Sequence, residues 1–116
     1  MCMGSKERGP LTEPMFYVLM SFLKRDMCGT EITEFVERKT RGRVRLGPGT
    51  LYTLLAKFQE EKFIDETQVE GRKRTYRLTD KGRAAYREEL ERLRACVADG
   101  EEEGQTWPAI WTASPR

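Results

Sequence analysis

The chain has 116 residues, 38% apolar and 34% charged, with a formal net charge of +2; this suits one small domain, and bulk charge alone does not mark a polyanion partner. It has no histidine, and Cys2, Cys28 and Cys96 are odd in number and far apart, so no metal site or disulfide framework is expected and the cysteines read as free thiols. The longest apolar run, Met15 to Met20, is too short to cross a bilayer and no signal-peptide pattern is seen, so a cytoplasmic protein without a membrane partner is expected.

Residues 1–11 read as a flexible arm that includes Gly9-Pro10. Thr12 and Glu13 then open a segment in which Met15, Phe16, Leu19, Met20, Phe22 and Leu23 recur at helical spacing, predicting a first helix over about 13–25. After Gly29, the positions Ile32, Phe35 and Val36 predict an amphipathic second helix ending near Thr40. A basic connection, Arg41 to Leu46, leads to Gly47-Pro48, where proline suits a first helical turn. In the third helix Leu51, Leu54, Leu55 and Phe58 form the buried stripe, and Thr50, Thr53 and Lys57 lie opposite with Tyr52 at the border.

Beyond Lys62 the period becomes two, and residues 64–69 and 73–78 flank Glu70-Gly71-Arg72, predicting a hairpin. Thr79 is expected to cap a fourth helix over 80–99, with Asp80 in its first turn and Gly100 as its stop. Tyr86, Leu90, Leu93 and Val97 make a seam of two heptads along that helix, which needs a partner and predicts a homodimer. Residues 100–116, with Trp107 and Trp111, read as a disordered tail. Charge is uneven, with 16 Lys+Arg against 12 Asp+Glu in residues 1–82 and 5 against 7 afterwards.

Three helices followed by a hairpin is the order of a winged helix-turn-helix, a mainly α fold with a small β-hairpin, here spanning 12–79 ahead of a C-terminal dimerisation helix. In that order the third helix enters the major groove of double-stranded DNA, where Thr50, Tyr52, Thr53 and Lys57 position and read it. The wing supplies Arg72, Lys73 and Arg74 at its tip and Arg77 farther along, suited to phosphates or the minor groove. Each feature alone has a plainer reading, since a threonine-bearing face is usually solvated and a basic turn usually guards a sheet edge. Their joint order carries the inference. The basic run Arg38, Lys39, Arg41, Arg43 and Arg45 is weaker evidence, because such runs are most often solvated loops.

Leu46-Gly47-Pro48-Gly49-Thr50-Leu51-Tyr52 resembles the start of the PadR-family recognition helix, and Arg72 to Gly82 resembles that family's wing and its entry to the last helix. The resemblance covers about 12–99 and implies a dimeric transcription regulator, commonly a repressor, of the subfamily with a short last helix. It departs from the family at Gly29-Thr30-Glu31, in place of glycine-tyrosine-glutamate, and at Lys62, in place of glycine. Some relatives stack a planar ligand on a tryptophan of the dimerisation helix; this helix has none, so a small-molecule effector is left open and unidentified. No enzyme, catalytic residue, cofactor or metal is expected, as there is no nucleophile with a base and no phosphate-binding glycine loop. The competing class is a winged-helix protein-interaction module without nucleic acid, which would be expected to show an exposed apolar patch at the wing.

Overall fold

The computed structural model describes residues 9–104. Thr12 accepts a bond from the Met15 N–H at 3.3 Å and so opens helix α1 (Glu13–Ser21), satisfying a donor that the first turn leaves unpaired. The helix ends four residues before the expected boundary, because Phe22 and Leu23 donate to the Leu19 and Met20 carbonyls at 3.1 Å and tighten the last turn to 3₁₀ geometry. The chain then straightens into strand β1 (Met27–Cys28).

Helix α2 (Gly29–Lys39) starts where the Cys28 N–H donates to the Glu31 carboxylate at 2.9 Å, one half of a capping box. That bond is the main reason the Glu31 carboxyl is held below its usual range. Of the family's glycine-tyrosine-glutamate, the two residues that open and cap the helix, Gly29 and Glu31, are kept.

Helix α3 (Pro48–Glu60) closes on Lys62, whose φ of 68° lies in the left-handed region. Lys62 and Phe63 donate to the Gln59 and Phe58 carbonyls at 3.0 and 2.8 Å, and the Phe58 and Phe63 rings pack with centroids 5.9 Å apart. This is the Schellman closure with its accompanying apolar contact. It explains why glycine suits this position and why lysine is strained there.

Strands β2 (Ile64–Glu70) and β3 (Lys73–Leu78) form the expected hairpin, with Gly71 at φ 60° in the turn. The sheet runs β1-β3-β2 with antiparallel neighbours, and Met27 and Cys28 pair with Tyr76 and Thr75. β1 was not expected from the sequence, since two residues show no period and its partner lies nearly fifty positions away.

Thr79 caps helix α4 (Asp80–Gly104) as expected, accepting from the Gly82 N–H at 3.0 Å while donating to the Lys62 carbonyl at 2.7 Å. A Cβ on Gly82 would stand 2.2 Å from the Phe63 carbonyl oxygen and 2.7 Å from Leu78, so only glycine lets α4 lie this close to the base of the hairpin. The helix runs past Gly100 to Gly104. A lone glycine lowers helix propensity without forcing a stop. The rest of the expected tail, 105–116 with Trp107 and Trp111, lies outside the described residues, as do residues 1–8 with Cys2.

The core gathers Val18 and Leu19 of α1, Ile32 and Val36 of α2, Leu51, Leu55 and Phe58 of α3, and Phe63, Ile64 and Tyr76 around the sheet. Leu11, placed in the flexible arm by its sequence, is buried instead, and its N–H donates to Glu89 at 3.2 Å. An apolar side chain beside the first helix gains more from burial than it loses in chain freedom.

Candidate nucleic-acid interface

The exposed side of α3 follows from its stripe. Leu51, Leu55 and Phe58 are buried, which turns Thr50, Tyr52, Thr53 and Lys57 outward. No side chain caps the helix N-terminus at Gly47, and proline occupies the first turn. The first-turn N–H groups therefore face solvent beside Thr50, in the orientation that favours an anion.

Tyr52 is 61% exposed and leans toward the wing. It shares a cleft of about 490 Å³ with Arg72, Lys73, Arg74 and Tyr76 of the hairpin, and with Cys28, Gly29 and Thr30 at the start of α2. Tyr52 of the third helix and the wing tip therefore share one cleft, which Thr50, Thr53 and Lys57 do not line. The start of α2 joins it as well, which the sequence reading missed: a helix start has no signal of its own that tells which neighbour it will face. Burial raises the Tyr76 pKa above the usual phenol value, so this hydroxyl is neutral at the cleft floor.

The four wing cations do not stand alike. Arg74 pairs with Glu66 at 2.9 Å and Arg77 with Asp65 at 3.4 Å, across the two strands. Among the described residues, Arg72 and Lys73 have no ion-pair partner, and both are exposed at the turn. Arg77 alternates with the buried Tyr76 and Leu78 and so lies on the opposite face of β3 from them. It does not line the cleft.

The basic run that ends α2 and leads to α3 is engaged in part within the chain. Arg43 binds Glu13 and donates to the Tyr17 hydroxyl at 3.0 Å, and the Glu13 bond above all holds its guanidinium more firmly charged. Arg45 reaches Glu37 at 3.6 Å, and Arg38 and Lys39 each lie 5.9 Å from the Phe35 ring. Only Arg43 and Arg45 are thus tied to the chain's own carboxylates, while Arg38, Lys39 and Arg41 are exposed and have no ion-pair partner among the described residues.

On α4 the structure separates two stripes. Gly82, Ala85 and Glu89 are buried against the chain's own body, and Tyr86 stacks on Phe16 at 5.0 Å between centroids. Glu89 is only 5% exposed and is held by the Leu11 N–H and Arg92. Of the expected seam, Tyr86 is thus half committed within the chain, Leu90 and Leu93 are half-buried, and Val97 is 57% exposed. A buried glutamate gives no apolar periodicity, so only the seam was legible.

No helix among the described residues is long and apolar enough to cross a membrane, and no group of three or more His, Cys, Asp or Glu there could hold a metal ion. Cys28 is a buried free thiol and Cys96 an exposed one.

The sequence matches the family model described as the transcriptional regulator PadR-like family over residues 18–88. Similar solved structures include a transcriptional regulator from Clostridium thermocellum, 23% identical with a TM-score of 0.69, covering 77% of this chain and 87% of that one. A PadR family transcription regulator from hypervirulent Clostridium difficile R20291 is 21% identical with a TM-score of 0.65, covering 78% and 97%. RosR of H. salinarum is 20% identical with a TM-score of 0.62, covering 80% and 96%. At these identities the likeness speaks for the winged-helix fold. No curated protein matches the sequence at a significant level.

Proposed function

The chain belongs to the PadR-like family of transcriptional regulators, and from that premise we propose that it binds double-stranded DNA sequence-specifically as a homodimer and represses transcription from a palindromic operator in the cytoplasm. The observation that carries this reading is the cleft that Tyr52, on the outward face of α3, shares with Arg72, Lys73 and Arg74 of the wing tip; Thr50, Thr53 and Lys57 are exposed on the same helix outside that cleft. An α-helix has the width a major groove admits, and in this reading the basic wing tip meets phosphates or the minor groove beside it. Arg77 is a lesser contact in this reading, since it pairs with Asp65 away from the cleft.

The dimer rests on Leu90, Leu93 and Val97, which the chain leaves wholly or partly uncovered, with Tyr86 at their edge. A twofold dimer would set two recognition helices about 34 Å apart, on successive major grooves. A small-molecule effector is compatible with this assembly. The interaction-module alternative gains nothing from the wing, where Val69 is the single large apolar residue exposed among those described; one such residue is not a docking patch.

Selection of bound fragments from a random duplex pool tests the function: enrichment of a palindrome is expected, and recovery of no preferred sequence would refute the specific-binding reading. Light scattering on a Leu90→Lys, Leu93→Lys chain tests the assembly. A wild type already monomeric at micromolar concentration, or a double variant that stays dimeric, would refute the seam.

A further inference from the structure

The last turns of α4 are at odds with the local physics of a helix. Residues 95–103 are all exposed. Asp99, Glu101 and Glu102 crowd the C-terminal end, with no basic residue in the last turn. The helix dipole disfavours anions at that end, and Gly100 is a poor helix former. A helical segment with no buried face and unfavourable end charges is better explained if something cationic covers it.

A cationic groove lies on the same molecule. Leu23, Met27, Phe35 and Tyr86 line a groove of about 720 Å³ between the end of α1, β1, α2 and the near part of α4. Lys24, Arg25, Arg38, Lys39 and Arg41 surround it. Arg25 is paired with Glu31 at 3.3 Å, but among the described residues Lys24 and Arg41 have no ion-pair partner.

We propose that this groove receives the acidic end of α4 from a second copy of the chain, so that charge as well as apolar contact sets the register of the dimer. The inference rests on the dimer reading above. The chain's own α4 cannot supply the occupant: the helix is continuous from Asp80 to Gly104, so Asp99 stands roughly 20 Å along the axis from Tyr86 and points away. An antiparallel twofold that sets Leu90 against Leu93 of the second copy also sets Tyr86 opposite its Val97. Asp99, Glu101 and Glu102 then fall opposite positions 84, 82 and 81, within about one and a half turns of Tyr86 at the groove. The symmetry makes each contact twice.

The test is the monomer–dimer dissociation constant by sedimentation velocity, for the wild type, Glu101→Lys with Glu102→Lys, Lys24→Glu with Arg41→Glu, and all four changes together. Each pair alone should weaken the dimer about tenfold or more, because each broken contact counts twice. The combined variant should recover most of the loss, and the wild-type dimer should weaken as salt is raised. Lysine at a helix C-terminus favours the helix, so circular dichroism should show no loss of helix in the first variant. A dimer indifferent to both pairs and to salt, or a combined variant with no recovery, overturns this inference and leaves the dimer standing. A groove variant that loses DNA affinity with its dimer intact assigns the groove to nucleic acid and likewise overturns it. A monomeric wild type refutes the dimer reading itself, and this one with it.

Discussion

The connection before α3 and the wing after it carry similar basic runs, five cations from Arg38 to Arg45 and four from Arg72 to Arg77, yet the fold treats them differently. In the connection, Arg43 and Arg45 are paired with Glu13 and Glu37, Arg38 and Lys39 lie beside Phe35, and Arg41 alone has neither kind of contact among the described residues. In the wing, Arg74 and Arg77 are paired while Arg72 and Lys73 stand unpaired at the turn. Charge present in a sequence is thus not charge available to a ligand. Arg72 sits in the turn itself, and Lys73 stands opposite Glu70, whose carboxylate accepts from the Gln68 amide at 2.9 Å instead, whereas the segment packed between helices brings Arg43 and Arg45 against their carboxylates.

The largest effect should come from replacing Arg72 and Lys73 with alanine. Four cations leave each dimer, so the slope of log affinity against log salt should flatten by up to about 3.6, with affinity lost on the order of 100-fold or more on operator and random duplex alike. The matching change in the connection, Arg43→Ala with Arg45→Ala, should leave the slope within error of wild type. Equal slopes for the two variants would abolish the distinction between the regions. Arg77→Ala should change the slope less than Arg72→Ala.

Gly82→Ala separates the wing's charge from its placement. The added carbon must displace the Phe63 carbonyl, and such overpacking costs about 1–3 kcal/mol of stability, measurable by urea denaturation. No charge changes, so a variant of full stability would show that the close approach of α4 does not hold the hairpin base.

Thr53→Ala sharpens the comparison from the helix side. If Thr53 reads a base, affinity for the preferred site should fall by about 1–3 kcal/mol with little change on random DNA. Equal losses on both would make Thr53 a backbone contact like the wing tip.

The smallest effect concerns the start of α2, which shares the cleft with the wing. The Glu31 carboxyl has its pKa lowered in the fold, chiefly by the Cys28 N–H, so its stabilisation is full above the unfolded carboxylate pKa and is lost as pH falls through the folded value. Glu31→Gln should therefore be modestly less stable than wild type at neutral pH, and the gap should close in acid. A gap that stays constant with pH, measured by thermal melts, would mean that the carboxylate charge is not what caps the helix.

Much of this was legible because it is local. The 3.6-residue stripes of Ile32, Phe35 and Val36 and of Leu51, Leu54, Leu55 and Phe58, the two-residue alternation around Gly71, and the Thr12 and Thr79 caps all stand where the elements form. Lys62 stood out in the sequence only as a departure from the family's glycine, and the structure supplies the reason that glycine suits the position, a positive φ. β1 was not legible, nor was the burial of Leu11 and Glu89, which bond to each other across 78 positions.

The sequence by itself determined the order of the four helices and the hairpin, the outward face of α3 and the position of the wing, because periodicity, capping and turn chemistry act within a few residues of the chain. Only the tertiary structure decided which cations are free, that the start of α2 belongs to the cleft, and that α4 carries a stripe buried in its own body beside the seam it leaves open. An arginine's partner or a helix's neighbour is chosen by packing, and here the decisive contacts, Glu13 with Arg43 and Leu11 with Glu89, join residues 30 and 78 positions apart.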